Sequence, residues 1–269
     1  IELTYSPVEK LHYLTLKTLL TVLIGETDEA KKLHANALND LLASVADAAK
    51  DGDFWALSVC AAALEMLGTL NGDKIAFDRA LGFLEKTAAS NLTDCGAGRL
   101  SYEKGRLNWL KGDCERAVVD FTESHKRAPG ALPLIYRLDA YVRINELEKA
   151  KLDLTALRSM SIPEDYKLEF LRSAGALAVK AGDASGARAL VKELKGLSLD
   201  ILHFRAQRDE LCVALLEFVD EQTQKKTTTA RRQSFVDRIR KASEFLELKP
   251  NFCGLGLNLN RFFERKEND

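Results

Sequence analysis

Proline is scarce in this chain, with five in 269 residues, and no apolar run is long enough to span a bilayer. The nearest stretch, 11–24, is interrupted by His12, Lys17 and several threonines, and reads as a buried helix. Neither charge is in excess. The 39 Lys and Arg against 40 Asp and Glu leave a formal net charge of −1. That argues against bulk attraction to nucleic acid or to an anionic membrane, while saying nothing of local patches. The five cysteines, Cys60, Cys95, Cys114, Cys212 and Cys253, are widely spaced and form no CxxC. A zinc knuckle and a disulfide framework are thereby disfavoured, and free thiols in a reducing, cytoplasmic setting are expected.

Catalytic signatures are also missing. His12, His34, His125 and His203 fall on separate predicted helices, with no HExxH spacing, no GxSxG elbow and no P-loop. Gly254-x-Gly256 lacks the third glycine of a dinucleotide fingerprint. The adjacent acids Asp209-Glu210 and Asp220-Glu221 diverge on a helix instead of converging on a substrate, and read as solvated faces. No catalytic residue, metal ligand or cofactor is therefore expected. Arg231-Arg232-Gln233-Ser234-Phe235 matches a basophilic-kinase pattern of a kind common by chance. Asn91-Leu92-Thr93 matches a glycosylation sequon, but no signal peptide is visible to support it. The chain opens on Ile1, not Met, which leaves open that it is one region of a larger protein.

What is present is helical. Hydrophobic residues make up 46% of the chain and charged ones 29%, and the abundance of Ala and Leu favours an all-α protein. Ser6-Pro7-Val8-Glu9 reads as a helix start, opening a helix to about Ile24. Further helices are expected at about 28–50, 54–70, 74–89, 199–222 and 230–247, with a polar loop over 222–229. Gly-Asp recurs at Gly52-Asp53, Gly72-Asp73, Gly112-Asp113 and Gly182-Asp183. Glycine supplies the left-handed residue that ends one helix, and aspartate caps the next, so these are tight turns of antiparallel pairs.

The stretch 98–129 is the clearest pair, two amphipathic helices joined at Gly112-Asp113. Gly105 permits a close helix approach, Ala117 and Phe121 lie one turn apart, and Pro129 stops the second helix. It resembles a tetratricopeptide (TPR) repeat through Gly105, Ala117, Phe121 and Pro129, while Ser101, Lys104 and Asn108 depart from that pattern. Ala150 and Leu154 follow 33 residues after Ala117 and Phe121, with Asn145 in place of the turn glycine and Pro163 closing the unit. Gly175, Gly182 and Ala187 repeat the spacing of Gly105, Gly112 and Ala117. The resemblance covers about 98–195. It implies a TPR-like α-α superhelix, a right-handed solenoid of about six antiparallel helix pairs. The expected organisation is divergent hairpins over 1–97, TPR-like repeats over 98–197, and a helix pair with an extended tail over 198–269.

The resemblance also implies a function, a non-enzymatic scaffold for protein–protein interaction that serves as a regulatory or assembly region. In that family the first helix of each pair lines a groove. Carried over by position, the partner-binding residues are Arg99, Tyr102, Arg106 and Trp109, then Asp139 and Arg143, then Arg172 and Lys180. This basic, aromatic set suits an acidic peptide, since arginine pairs with carboxylates and aromatic rings bury area at small entropic cost. A sensor that holds nucleic acid or a phosphorylated ligand in the same groove is the second reading. The bland alternative is that these side chains are solvated or bridge neighbouring helices. The carboxylate clamp of chaperone-binding TPR proteins is missing. In the tail, Leu255, Leu257 and Leu259 alternate with Gly256, Asn258 and Asn260, a period of two that predicts an extended segment, either packed against the final helix pair with Phe252, Phe262 and Phe263 as anchors or added to the edge of a partner's sheet.

Overall fold

A computed structural model describes residues 74–86, 92–197, 202–223 and 229–241, together with scattered positions before 74. The helices expected at 6–24, 28–50 and 54–70, the loop after 223 and the tail from 242 onward lie outside the described residues, apart from those scattered positions. Among the described residues every regular element is an α-helix and no strand occurs. The chain divides into two compact units, Ile1–Leu92 with Pro250–Leu257, and Thr93–Lys249 with Asn258–Asp269. The first division falls five residues before the expected boundary at 97/98, and 197/198 lies inside the second unit.

Helix α1 (Lys74–Glu85) belongs to the first unit. The second unit holds α2 (Asp94–Lys111), α3 (Cys114–Arg127), α4 (Ala131–Arg143), α5 (Leu147–Arg158), α6 (Glu164–Ala181), α7 (Ala184–Lys195), α8 (Leu202–Thr223) and α9 (Thr229–Lys241). Helix α2 begins earlier than the sequence suggests. The sequence reads as a looser connection over 91–97, yet Thr93 Oγ1 accepts from the backbone N–H of Gly96 and caps the helix there.

Three turns share one geometry. Gly112 (φ 92°), Asn145 (φ 64°) and Gly182 (φ 74°) are all left-handed. In each case the next residue's N–H reaches five residues back, from Asp113 to Asn108 O, from Glu146 to Tyr141 O and from Asp183 to Ala178 O. The left-handed residue itself donates three back, to Trp109, Val142 and Val179. This is the paired hydrogen-bond pattern that satisfies the last carbonyls of a helix. Asp113 and Asp183 then cap α3 and α7 through Arg116 N and Gly186 N. Asn145 takes the same conformation because its short polar side chain tolerates it.

Five residues beyond each turn, Ala117, Ala150 and Ala187 are fully buried. A Cβ on Gly105 would fall 2.7 Å from ring carbons of Phe121, so only glycine allows α2 and α3 to approach this closely. Gly175 differs, since a Cβ there would meet Leu215 of α8 at an ordinary 3.4 Å. Helices pack on their chain neighbours from α2 through α9, and α6 also packs on α4, α8 and α9. Surrounded in this way, α6 is buried at every position from Leu168 to Val179, including Glu169, Arg172 and Ser173. An aromatic cluster of Tyr102, Trp109, Phe121 and Tyr136 joins α2, α3 and α4, with ring centroids 5.3 to 6.1 Å apart.

Candidate functional site

Arg99, Tyr102, Glu103, Arg106 and Trp109 recur at helical spacing along α2, so they share one face. Asp139 and Arg143 stand one turn apart on α4, and Glu169 and Arg172 lie on α6. Packing brings these faces together into two connected clusters.

The first centres on Asp139, which is fully buried. Its Oδ2 accepts from Trp109 Nε1 at 2.8 Å and from Arg143 Nε at 2.6 Å. Arg172 NH1 stands 3.6 Å from Oδ1, and the Arg172 guanidinium also donates to Glu169 Oε1 at 2.5 Å. Arg143 lies over the Trp109 indole at 4.2 Å, and Arg172 lies over the same ring at 5.9 Å. Lys180 Nζ donates to the Val142 carbonyl at 2.9 Å, tying the end of α6 to the end of α4. Two guanidiniums therefore face two carboxylates, and the Asp139 cluster of side chains carries no net charge. That balance is what makes the burial tolerable, because an uncompensated buried ion costs several kcal/mol.

The second cluster lies nearer the start of α2. Glu103 pairs with Arg99 at 2.6 Å and stands 3.7 Å from Arg106. Arg99 stacks on Tyr102 at 5.8 Å. The Tyr102 hydroxyl is buried without a hydrogen-bond partner, and burial holds its pKa above the usual tyrosine range.

The residues chosen from the sequence fall into these two clusters on α2, α4 and α6, and most of them do not line an open groove. Tyr102, Arg106, Trp109, Asp139 and Arg172 are buried. Arg99, Arg143 and Lys180 are partly exposed. Arg106 and Arg172, carried over above as residues of an open groove, are instead buried, and both guanidiniums sit against carboxylates. Sequence reasoning named Asp139 but missed Glu103 and Glu169, although the signal was present. Glu103 stands four residues after Arg99 and three before Arg106, and Glu169 stands three before Arg172.

A separate bidentate pair fixes α4 to α5. Arg137 donates to Asp153 through Nε at 2.8 Å and NH2 at 2.6 Å, and through NH1 to Thr122 of α3 at 3.0 Å. Among the described residues no group of three His, Cys, Asp or Glu side chains is placed to hold a metal ion. Cys60, Cys95, Cys114 and Cys212 are free thiols. No described helix is long and apolar enough to cross a membrane.

What the fold defines is a protein whose described residues form helices and no strands, and whose second unit repeats one turn three times. No protein family model and no curated protein matches the chain.

Proposed function

We propose that this chain is a non-enzymatic scaffold, with TPR-like stacking of the helix pairs of its second unit, that holds a segment of another protein. The observation that supports this reading most is the set of turns at Gly112, Asn145 and Gly182, each left-handed and each followed by an alanine with no exposure. A module used three times in succession suits a binding surface built by stacking, because one pair alone cannot cover its own apolar stripe. Cytoplasmic placement and service within a larger assembly belong to the same proposal.

The nucleic-acid or phosphate reading draws less support. Arg143 and Arg172, and Arg99 and Arg106, already stand against Asp139, Glu169 and Glu103, and Arg106 and Arg172 are buried, so few of these cations are open to a phosphate. Salt separates the two. A phosphate-driven complex weakens steeply as ionic strength rises, whereas a peptide complex anchored by apolar contact weakens little. The test is to recover a partner by cross-linking at the natural concentration and titrate it against the purified chain across salt. A partner that is a nucleic acid, or a complex that free phosphate or polyphosphate displaces, would reject the scaffold reading.

A further inference from the structure

Among the described residues, helix α8 is covered on one side only. Leu211, Cys212, Leu215, Phe218 and Val219 are buried, and the helix packs on α6, α7 and α9. Its other side presents Asp209, Glu210, Val213, Leu216, Glu217 and Asp220, all exposed. Their spacing of three, four and seven residues makes them one continuous stripe. Val213 is 48% exposed and Leu216 is 39% exposed, and the four charges around them are all negative.

A merely solvated helix face looks different. On α5 the exposed charges are of both signs, Glu148 beside Lys149, Lys151 and Arg158, and Glu148 pairs with Lys151 at 2.6 Å. On α8 Asp209 pairs with Arg208 and Glu217 with Arg238 of α9, both at the edges of the stripe, and the exposed Arg205 stands one turn before Asp209. Glu210 and Asp220 have no ion pair among the described residues. Glu217 and Asp220, three apart on the helix, repel each other. Exposed apolar area and an excess of negative charge only partly met by Arg208 and Arg238 are both relieved by a surface that brings apolar groups and cations at the same spacing.

We propose that this stripe of α8 is a docking surface, and that its occupant is a basic amphipathic helix of a partner protein. Two apolar side chains one turn apart on that helix seat against Val213 and Leu216, and flanking Lys or Arg side chains meet Glu210, Glu217 and Asp220. The inference rests on the scaffold reading and reverses its expected charge. The basic residues near α2, α4 and α6 are largely spent inside the protein, whereas the acidic ones on α8 face outward.

The test uses the full chain and two synthetic amphipathic helices, one of Leu and Lys and one of Leu and Glu in the same pattern. Calorimetry gives affinity and hydrogen exchange locates the contact. The Leu/Lys peptide is expected to bind and to protect amides over 206–220. Glu210→Lys with Asp220→Lys, and separately Leu216→Ser, should each weaken it about tenfold or more. Glu115→Lys with Glu148→Lys, on the outer faces of α3 and α5, should not. Equal weakening by that control pair would mark nonspecific attraction and overturn the proposal. So would protection elsewhere, or a concentration-dependent dimer abolished by Leu216→Ser, which would assign the stripe to a second copy. Binding of the Leu/Glu peptide near Arg99 and Arg143 would overturn this inference yet sustain the scaffold reading. Binding of neither peptide would count against both.

Discussion

The indole Nε1 of Trp109 donates to Oδ2 of Asp139 at 2.8 Å, across 30 residues of sequence and between α2 and α4. Asp139 has no exposure and Trp109 almost none, so water replaces neither partner when the bond is lost. Trp109→Phe keeps most of the ring and removes the donor, and should destabilise the fold by about 1–3 kcal/mol. Asp139→Ala leaves Arg143 and Arg172 without their shared carboxylate, and should cost about 3–5 kcal/mol. Urea unfolding measures both. Midpoints within error of the parent would remove the network from the account of stability.

Position along the network decides what a charge reversal does. Arg172→Glu sets a third carboxylate beside Asp139 and Glu169 in a buried site, and should prevent folding or lower the melting temperature sharply. Arg99→Glu acts on a side chain 38% exposed, and should change stability by no more than about 1 kcal/mol. Circular dichroism melts of the two variants, side by side, check the contrast. A well-folded Arg172→Glu protein would be incompatible with the burial described.

Tyr102→Phe should be neutral or stabilising, because the hydroxyl is buried without a hydrogen-bond partner and only its desolvation is lost. Burial also raises the folded-state pKa. The unfolded tyrosine ionises near about pH 10, so above that pH the unfolded chain releases a proton that the folded one keeps. Stability is then unaffected by this group below about pH 10 and falls as pH rises beyond it. The phenylalanine variant should lose less stability than the parent between neutral and strongly alkaline pH. Parallel pH curves for the two proteins would contradict this.

Ala117, Ala150 and Ala187 are fully buried at equivalent places in three pairs. Replacing any one of them with leucine should cost about 1–3 kcal/mol through overpacking. Thermal melts of the three single variants provide the measurement, and unchanged stability in all of them would sink the alignment of the pairs.

Two glycines should respond in opposite directions. Gly82, helical in α1, has open space where a Cβ would be placed, so Gly82→Ala should stabilise by about 0.5–1 kcal/mol. Gly112 also has room, but its φ of 92° is left-handed, so Gly112→Ala should destabilise by about 1–2 kcal/mol. Chemical denaturation of both variants separates conformational strain from crowding.

The sequence by itself determined the turns and the phase of the pairs. Gly112, Asn145 and Gly182 carry their instruction locally, in the backbone freedom of one residue, and the buried alanines follow at fixed spacing. The start of α2 was local too, but Thr93 lay hidden inside a sequon and the stretch read as a loop. Which charges are outside was decided only by tertiary structure. Arg172 and Arg208 look alike in sequence, yet one lies on a helix enclosed by five neighbours and the other on a helix with an open face. Burial of Arg172 depends on α4 delivering Asp139 to it, 33 residues away, and exposure of Val213 depends on no described helix covering that side of α8. Long-range packing sets the dielectric around a charge, and no local pattern encodes it.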